Sequence, residues 1–399
     1  MIPGDGHVAI AGAGVAGLTA AIALSQAGFS VTLYERAERL EEVGAGLQLS
    51  PNATRILERL GVLDSLLPSA VRPVSVEMRK AAGLKTLANV PLGEGATKRW
   101  GAPYLTIHRA DLQAALLAHA VAQARIELVT GATIRGAVAR KGRVSLTIEK
   151  EGATRETSCA LLVGADGVWS TLRKHLAGQG GDSRYTGYLA WRAMSQPAAG
   201  LIPADRVTAF VHPGFHLVAY PVRAGEAVNL VTITRSPASA ERWSNTGQIA
   251  DLTAAMRGAS PALLDLVSNI GSWLTWPINE VPRDAPWIDP SGIVLIGDAA
   301  HALSPYAAQG AAMAIEDAAS LVASLKRYAG DLGLALRAYE SRRRQRIARV
   351  ASRGAFNRFT WHAAGPVAIG RDLVLGLRSP ERLAADLDWL YGFDAALID

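Results

Sequence analysis

VAIAGAGVAGLTAAIALSQAGFSVTLYE, residues 8–35, is the stretch that decides the fold. Its apolar opening, residues 8–11, is short enough for a buried strand, and residues 31–35 read as a second strand. Between them residues 15–27 form an Ala-rich helical run that Gly28 ends. Strand, helix and strand together make a βαβ unit with Gly12-Ala-Gly14-Val-Ala16-Gly17 at its first junction. There Gly12 permits the tight turn, Gly14 lets the backbone approach a pyrophosphate, and Gly17 lets the helix pack close to the strand. A diphosphate at that junction would meet the unpaired N–H groups and the positive end of the helix. Glu35 ends the second strand 18 residues after Gly17, where an acid accepts hydrogen bonds from a nucleotide ribose. Arg36 beside it is either a surface residue or a cover for the adenine. The expected class is therefore α/β, built on a Rossmann-like dinucleotide-binding domain.

Working outward, residues 51–60 read as a helix, and residues 111–124 as another, with Arg109 just before it. Strand-like runs follow at 126–129, 134–139 and 144–149, with Lys141-Gly142 as a hairpin turn, and at 160–164. From about 185 to 235 strands alternate with Pro and Gly turns, which points to an inserted antiparallel sheet. Residues 293–297 return to the buried-strand pattern, and 310–328 and 332–353 read as long helices. The expected division is a cofactor domain over 1–180 and 276–330, a β-rich substrate domain over 181–275, and C-terminal helices over 331–399.

Composition narrows the class. Of 399 residues, 49% are apolar and 19% charged, which suits a sizeable core and excludes global disorder. No apolar run approaches a membrane span, and residues 1–7 are too short and polar for a signal peptide, so a cytoplasmic protein with no membrane partner is expected. Cys159 is the single cysteine, which rules out a disulfide within the chain, paired redox cysteines and a multi-cysteine zinc site. His212 and His216 lack a flanking carboxylate, and no metal site is expected. The formal charge of +6 is scattered, apart from SRRRQR at 341–346, which reads as a solvated helix face or a contact with a neighbouring element. A nucleic-acid partner is not expected.

Two further motifs identify the dinucleotide. LVGADGVWS at 162–170 and LIGDAAHALSPYAAQGAAMAIED at 295–317 follow the glycine motif in an order and spacing that resemble the class A flavoprotein monooxygenases, which share the para-hydroxybenzoate hydroxylase fold. GAGLQLSPN at 44–52, HRADL at 108–112 and YESRRRQR at 339–346 are similar to the branch of salicylate, 3-hydroxybenzoate and 6-hydroxynicotinate hydroxylases. The resemblance covers nearly the whole chain. It implies non-covalent FAD, with NADH or NADPH as co-substrate. NAD(P)H would reduce the flavin, O2 would add at C4a to give a hydroperoxyflavin, and an aromatic ring would attack its distal oxygen. It implies Asp298 on the ribityl chain, Asp166 near FAD and nicotinamide, Arg109 and Gln48 beside the flavin, and Ile134 as an adenine-side contact. Gly310 and Ala311 would open a helix whose N–H groups stabilise charge on the reduced ring. His301 belongs to the GDAAH run and reads as structural.

The substrate side rests on FHLVAYP, 215–221, where strand alternation puts His216, Val218 and Tyr220 on one face. A His and a Tyr side by side would hydrogen-bond a phenol and draw off its proton, which speeds electrophilic attack on the ring. The hydroxynicotinate branch has a His and a Tyr at this spacing. It differs in having a histidine where this chain has Gln48, and a cysteine in the 200–220 region, where this chain has none. The expected substrate is a hydroxylated aromatic or heteroaromatic carboxylate, with the oligomer a monomer or homodimer. SWLTWPI at 272–278 is similar to a halogenase signature but has the wrong spacing. An epoxidase or reductase on the same fold, and a non-catalytic flavin-fold carrier, are the alternatives. The intact GD motif speaks against the carrier.

Overall fold

The computed structural model describes residues 6–40, 46–140, 142–177, 181–198, 200–237 and 245–397. Of the expectations above, Lys141 of the hairpin turn and Gly44-Ala45 lie outside the described residues. The βαβ opening forms as His7–Ala11, Val15–Gln26 and Ser30–Tyr34. The two strands pair in parallel within a six-stranded sheet. Its order runs Ile288–Asp289, Ile293–Leu295, Leu161–Gly164, His7–Ala11, Ser30–Tyr34, Ile126–Val129, parallel except at the Ile288–Asp289 edge. The first, GD and DG motifs therefore sit at the carboxyl ends of adjacent strands, where open α/β sheets bind ligands. The hairpin strands Ala132–Arg140, Arg143–Lys150 and Ala153–Cys159 make a separate small sheet.

The expected antiparallel sheet has eight strands, and it draws on more of the chain than residues 185–235. Its order is Asn245–Thr246, Leu274–Glu280, Arg184–Ser195, Ala227–Arg235, Phe215–Val222, Val207–Val211, Ser75–Lys80, Thr86–Pro91. The last two come from far upstream, and Ser75–Lys80 joins Val207–Val211 in parallel. One face carries Trp191, Phe215, Leu217 and Leu230 and packs on Leu252, Leu263 and Val267 of two short helices and on Met256, which caps the first of them. The other face is turned toward the six-stranded sheet.

Helix limits differ in two places. The helix expected at 111–124 runs Arg109–Val121, because His108 caps it and accepts a hydrogen bond from the Ala110 N–H. Arg109 is thus its first residue. The last long helix runs Leu332–Trp361, past the expected 353, since nothing in GAFNRFT breaks a helix before the break at His362–Ala364. SRRRQR turns out to be largely a contact. Arg343 and Arg346 are buried against Glu316 and Asp317 of Gly310–Arg327.

Candidate active site

The glycine motif behaves as its spacing demands. Gly12 has φ +100°, and a Cβ there would stand 2.5 Å from the Ala165 carbonyl oxygen. A Cβ on Gly17 would come within 1.8 Å of the Gly12 oxygen. Around Gly14, by contrast, a Cβ would meet nothing within 4 Å. The helix that Gly14 starts has no side-chain cap and no acid in its first turn, so its leading amides are open to an anion. Glu35 reaches back across this turn: its carboxylate accepts from the Ala13 N–H at 2.8 Å and from the Ala37 N–H at 2.9 Å. Gln113 holds the same turn by donating to the Ala13 carbonyl at 3.2 Å.

From this turn a cleft of about 520 Å³ runs between the two large sheets. Gly14, Glu35, Arg36, Arg109 and Asp298 line it on one side, and Ala190, Arg192, Trp276 and Ile278 on the other. Its size suits a cofactor-scale ligand. The Arg192 guanidinium lies 4.4 Å from the Trp276 ring centre, while the buried Trp276 Nε1–H has no hydrogen-bond partner. Arg36, Arg109 and Arg192 give the cleft a cationic lining that favours anions.

The GD turn is fixed from beneath. Asp317 accepts from the Gly297 N–H at 2.7 Å, from His301 Nε2 at 2.6 Å and from Arg343 Nε at 2.6 Å. Burial alone would raise the Asp317 carboxyl, but His301 and Arg343 hold it below its ordinary value. Glu316 beside it accepts from Arg343, Arg346 and Asn52. This buried network sets Gly297 at φ +59°, with a Cβ there 3.0 Å from the Ala16 methyl, and leaves Asp298 exposed to the cleft. His301 is part of that support. Ala16 therefore serves to pack the glycine turn against the GD turn.

Asp166 has two faces. One oxygen accepts from the Thr171 N–H at 2.9 Å, the Thr171 hydroxyl and the Leu172 N–H, which holds the start of the helix Thr171–Ala177. The other oxygen is buried with no partner. Gln48 accepts from the Tyr104 hydroxyl at 2.7 Å and is not in the cleft wall. Ile134 is buried in the main core, paired with Ile148, and is likewise absent from the wall. Gly310 opens its helix exposed at a second cavity of about 150 Å³, which shares Ala302 and Leu303 with the cleft. Ala311 is half-buried behind it.

His216 and Tyr220 do share a face. Cross-strand pairing places His216 opposite Ile233 and Tyr220 opposite Asn229, and Ile233 opposite Ala190 in the cleft wall. They are not side by side, however, and both are buried outside the lining of the cleft and of the second cavity. Four residues of strand separate them by about 13 Å. His216 Nδ1 lies 3.0 Å from His362 Nε2, within a cage of Tyr306, Trp361 and His362 rings. Burial first, and His362 second, push the His216 pKa well below its ordinary value, so its ring is neutral at neutral pH. Tyr220 is buried against Gly46, and burial raises its phenol although Arg192 acts the other way. His212 turns away and stacks on Phe215.

The sequence reading missed Arg192, Trp276, Gln113 and His362. Arg192 had a visible signal as the lone charge in the apolar strand run YLAWRAM. His362 had none, since it lies 146 residues from His216. Among the described residues, no group of three or more His, Cys, Asp or Glu side chains is placed to hold a metal ion. No helix among them is long and apolar enough to cross a membrane.

Against known proteins, residues 5–354 match the family model described as FAD binding domain. The chain is 36% identical over 411 residues to 3-amino-4-hydroxybenzoate 2-monooxygenase of Streptomyces cremeus, covering all of this chain and 98% of that one. It is 32% identical over 395 residues to 3-hydroxybenzoate 6-hydroxylase of Polaromonas naphthalenivorans, covering 98% and 97%. Its fold is similar to a salicylate hydroxylase substrate complex, with a TM-score of 0.80 at 21% identity over 98% of this chain and 96% of that one.

Proposed function

Because the chain belongs to the FAD-binding-domain family of flavoprotein monooxygenases, we propose that it hydroxylates a hydroxylated aromatic or heteroaromatic carboxylate with NAD(P)H and O2. The observation that carries this reading is the cleft. It runs from an uncapped helix start at Gly14, past Asp298, to the wall of Ala190, Arg192, Trp276 and Ile278, with a neutral histidine and a protonated tyrosine buried on the same sheet behind that wall.

The residues fit FAD. Open space over Gly14, free amides at the helix start and a cationic wall suit the diphosphate. Glu35 keeps acceptor capacity for the adenosine ribose, with Arg36 at the cleft rim. Asp298 would bind ribityl hydroxyls. Arg109, and the Gly310–Ala311 helix start, would face the ring system. Asp166 retains one unpartnered oxygen for a ligand donor. Gln48 and Ile134 would contribute from one layer behind the wall. When bound, FAD supplies the chemistry that accepts electrons from NAD(P)H and activates O2.

What the chain itself does is hold the substrate and manage its proton. Neutral His216 would accept a hydrogen bond from the substrate phenol and pass its proton on through His362, half-buried behind it, toward solvent, so that neither ring keeps the charge. Protonated Tyr220, about 13 Å further along the strand, would donate a hydrogen bond to a second polar group of the bound substrate rather than to the same oxygen. Tyr306, on the loop between the two cavities, packs on Ala190, Ile233 and Ile278 and shields this space from water. The reaction belongs in the cytoplasm, where NAD(P)H is supplied. The test is a screen of hydroxybenzoates, aminohydroxybenzoates and hydroxypyridine carboxylates for stimulated NAD(P)H oxidation, with product identified by mass. A ligand that accelerates oxidation and gains one oxygen atom is the expected result. Stimulation without oxygen insertion would favour a reductase, and insertion into an isolated double bond an epoxidase.

A further inference from the structure

The helix Gly365–Gly376 is built inside out. Its protein-facing positions 368, 371, 372 and 375 hold the charged pair Arg371 and Asp372, whose side chains are only 9% and 19% exposed. Arg371 donates to the Thr360 carbonyl at 2.9 Å and to Asp372, and Asp372 also pairs with Lys80. The opposite side presents Ile369, Leu373 and Leu377 to solvent at 71%, 62% and 75% exposure. A helix at a water boundary normally shows the reverse, with its apolar stripe inward. No residue of this helix is buried.

The apolar surface extends beyond the helix. The Arg371–Thr360 bond holds it against the last turn of Leu332–Trp361, where Phe356 and Phe359 are also exposed. With roughly 150–200 Å² for each fully exposed side chain, Phe356, Phe359, Ile369, Leu373, Val374 and Leu377 together expose roughly 700 Å² of apolar surface. That exceeds the largest patch of a typical monomer and approaches the roughly 800 Å² that each partner contributes to a stable interface.

We propose that this face is the contact surface for a second copy of the chain, with the Gly365–Gly376 helices meeting across a two-fold axis. A two-fold contact requires a patch complementary to itself, which an uncharged apolar stripe satisfies. A Cβ placed on Gly370 or Gly376 would meet nothing within 4 Å, so the outer face leaves room for a close neighbour. A lipid surface is the other way to cover such a helix, but interfacial helices carry Lys and Arg on their polar side. This helix has one cation, and it is already paired with Asp372. The surface is functionally placed. Trp361 and His362, which enclose His216, immediately precede the helix, so the partner backs the wall of the substrate site.

Sedimentation velocity of the FAD-loaded protein, over roughly a hundred-fold range of concentration, tests this. The expected species has twice the 42.0 kDa of one chain. Leu373→Glu and Ile369→Glu should each give the monomer with FAD content and melting behaviour retained, while Leu373→Ile stays dimeric. Should the glutamate variants fail to fold, Leu373→Cys replaces them. Cys159 is buried, so the new thiol is the accessible one, and a bis-maleimide should link two chains. The proposal is overturned by a wild-type monomer throughout, by a dimer that survives Leu373→Glu, or by a dimer in which Leu373→Cys does not cross-link. It is equally overturned by a monomer that floats with phosphatidylglycerol–phosphatidylcholine vesicles.

Discussion

Replacing His362 by Gln should flatten the acid side of the stability profile. His362 Nε2 and His216 Nδ1 are 3.0 Å apart within an aromatic cage, and neither ring accommodates a charge there. Burial, with Arg235 and Arg358 nearby, pushes His362 down to about 4. Burial and His362 push His216 down as well. In the unfolded chain both titrate near about 6.5. Between about pH 6.5 and pH 4 the unfolded chain therefore binds protons that the folded chain refuses. Stability is full above the unfolded value and falls as the pH drops toward the folded one. For His362 these two values give a loss of about 2 kcal/mol between pH 7 and pH 5. Water at its half-exposed edge trims this to about 1–2 kcal/mol, and His216 adds in the same direction. Gln keeps an amide for His216 to bond but does not titrate. Chemical unfolding of the FAD-loaded wild type and His362→Gln at pH 7 and pH 5 should show the variant losing less on acidification. Equal losses in the two proteins would refute the assignment of two neutral, mutually bonded histidines.

Asp298→Ala should raise the FAD dissociation constant about 10- to 100-fold, the weight of a lost charged hydrogen bond of roughly 1.5–3 kcal/mol, as read by flavin fluorescence. Tyr220→Phe should leave FAD content intact and lower product formed per NAD(P)H about 2- to 10-fold, with peroxide rising, since a lost substrate hydrogen bond is worth roughly 0.5–1.5 kcal/mol. Unchanged coupling with a lowered melting temperature would make Tyr220 a packing residue. Arg343→Leu should destabilise by about 3–5 kcal/mol because it removes from the core the cation that Glu316 and Asp317 share. Differential scanning calorimetry reads that loss.

Short-range rules carried the nucleotide end of the cleft. Gly12, Gly14, Gly17 and Glu35 lie within 24 residues, and each acts through its own backbone geometry or a neighbour's. A steric requirement for glycine at Gly12 and Gly17 is a local fact, so it is legible in a line of text. The buried-strand patterns ahead of the two later motifs were likewise legible, and they form as Leu161–Gly164 and Ile293–Leu295. Strand alternation put His216 and Tyr220 on one face, but it could not supply what faces them.

That remainder is long-range. His362 meets His216 only because a helix from Leu332 runs on to Trp361 before turning back, and helix length past its predicted end depends on tertiary support. For Arg343 and Arg346 the sequence left open a solvated helix face or a contact with a neighbouring element, because it shows charge and not burial. Their acids are about 30 residues upstream on another helix, and only packing those helices removes both signs from water together. Two strands near residues 75–91 join a sheet formed chiefly more than 90 residues later, a pairing that no local pattern encodes. The sequence by itself thus determined the dinucleotide fold and the residues whose conformations are intrinsically special. The tertiary structure alone decided which buried charges neutralise one another, which ring partners His216, and which apolar helix face is left uncovered. Those outcomes depend on distance and desolvation, quantities that exist only once the chain has packed.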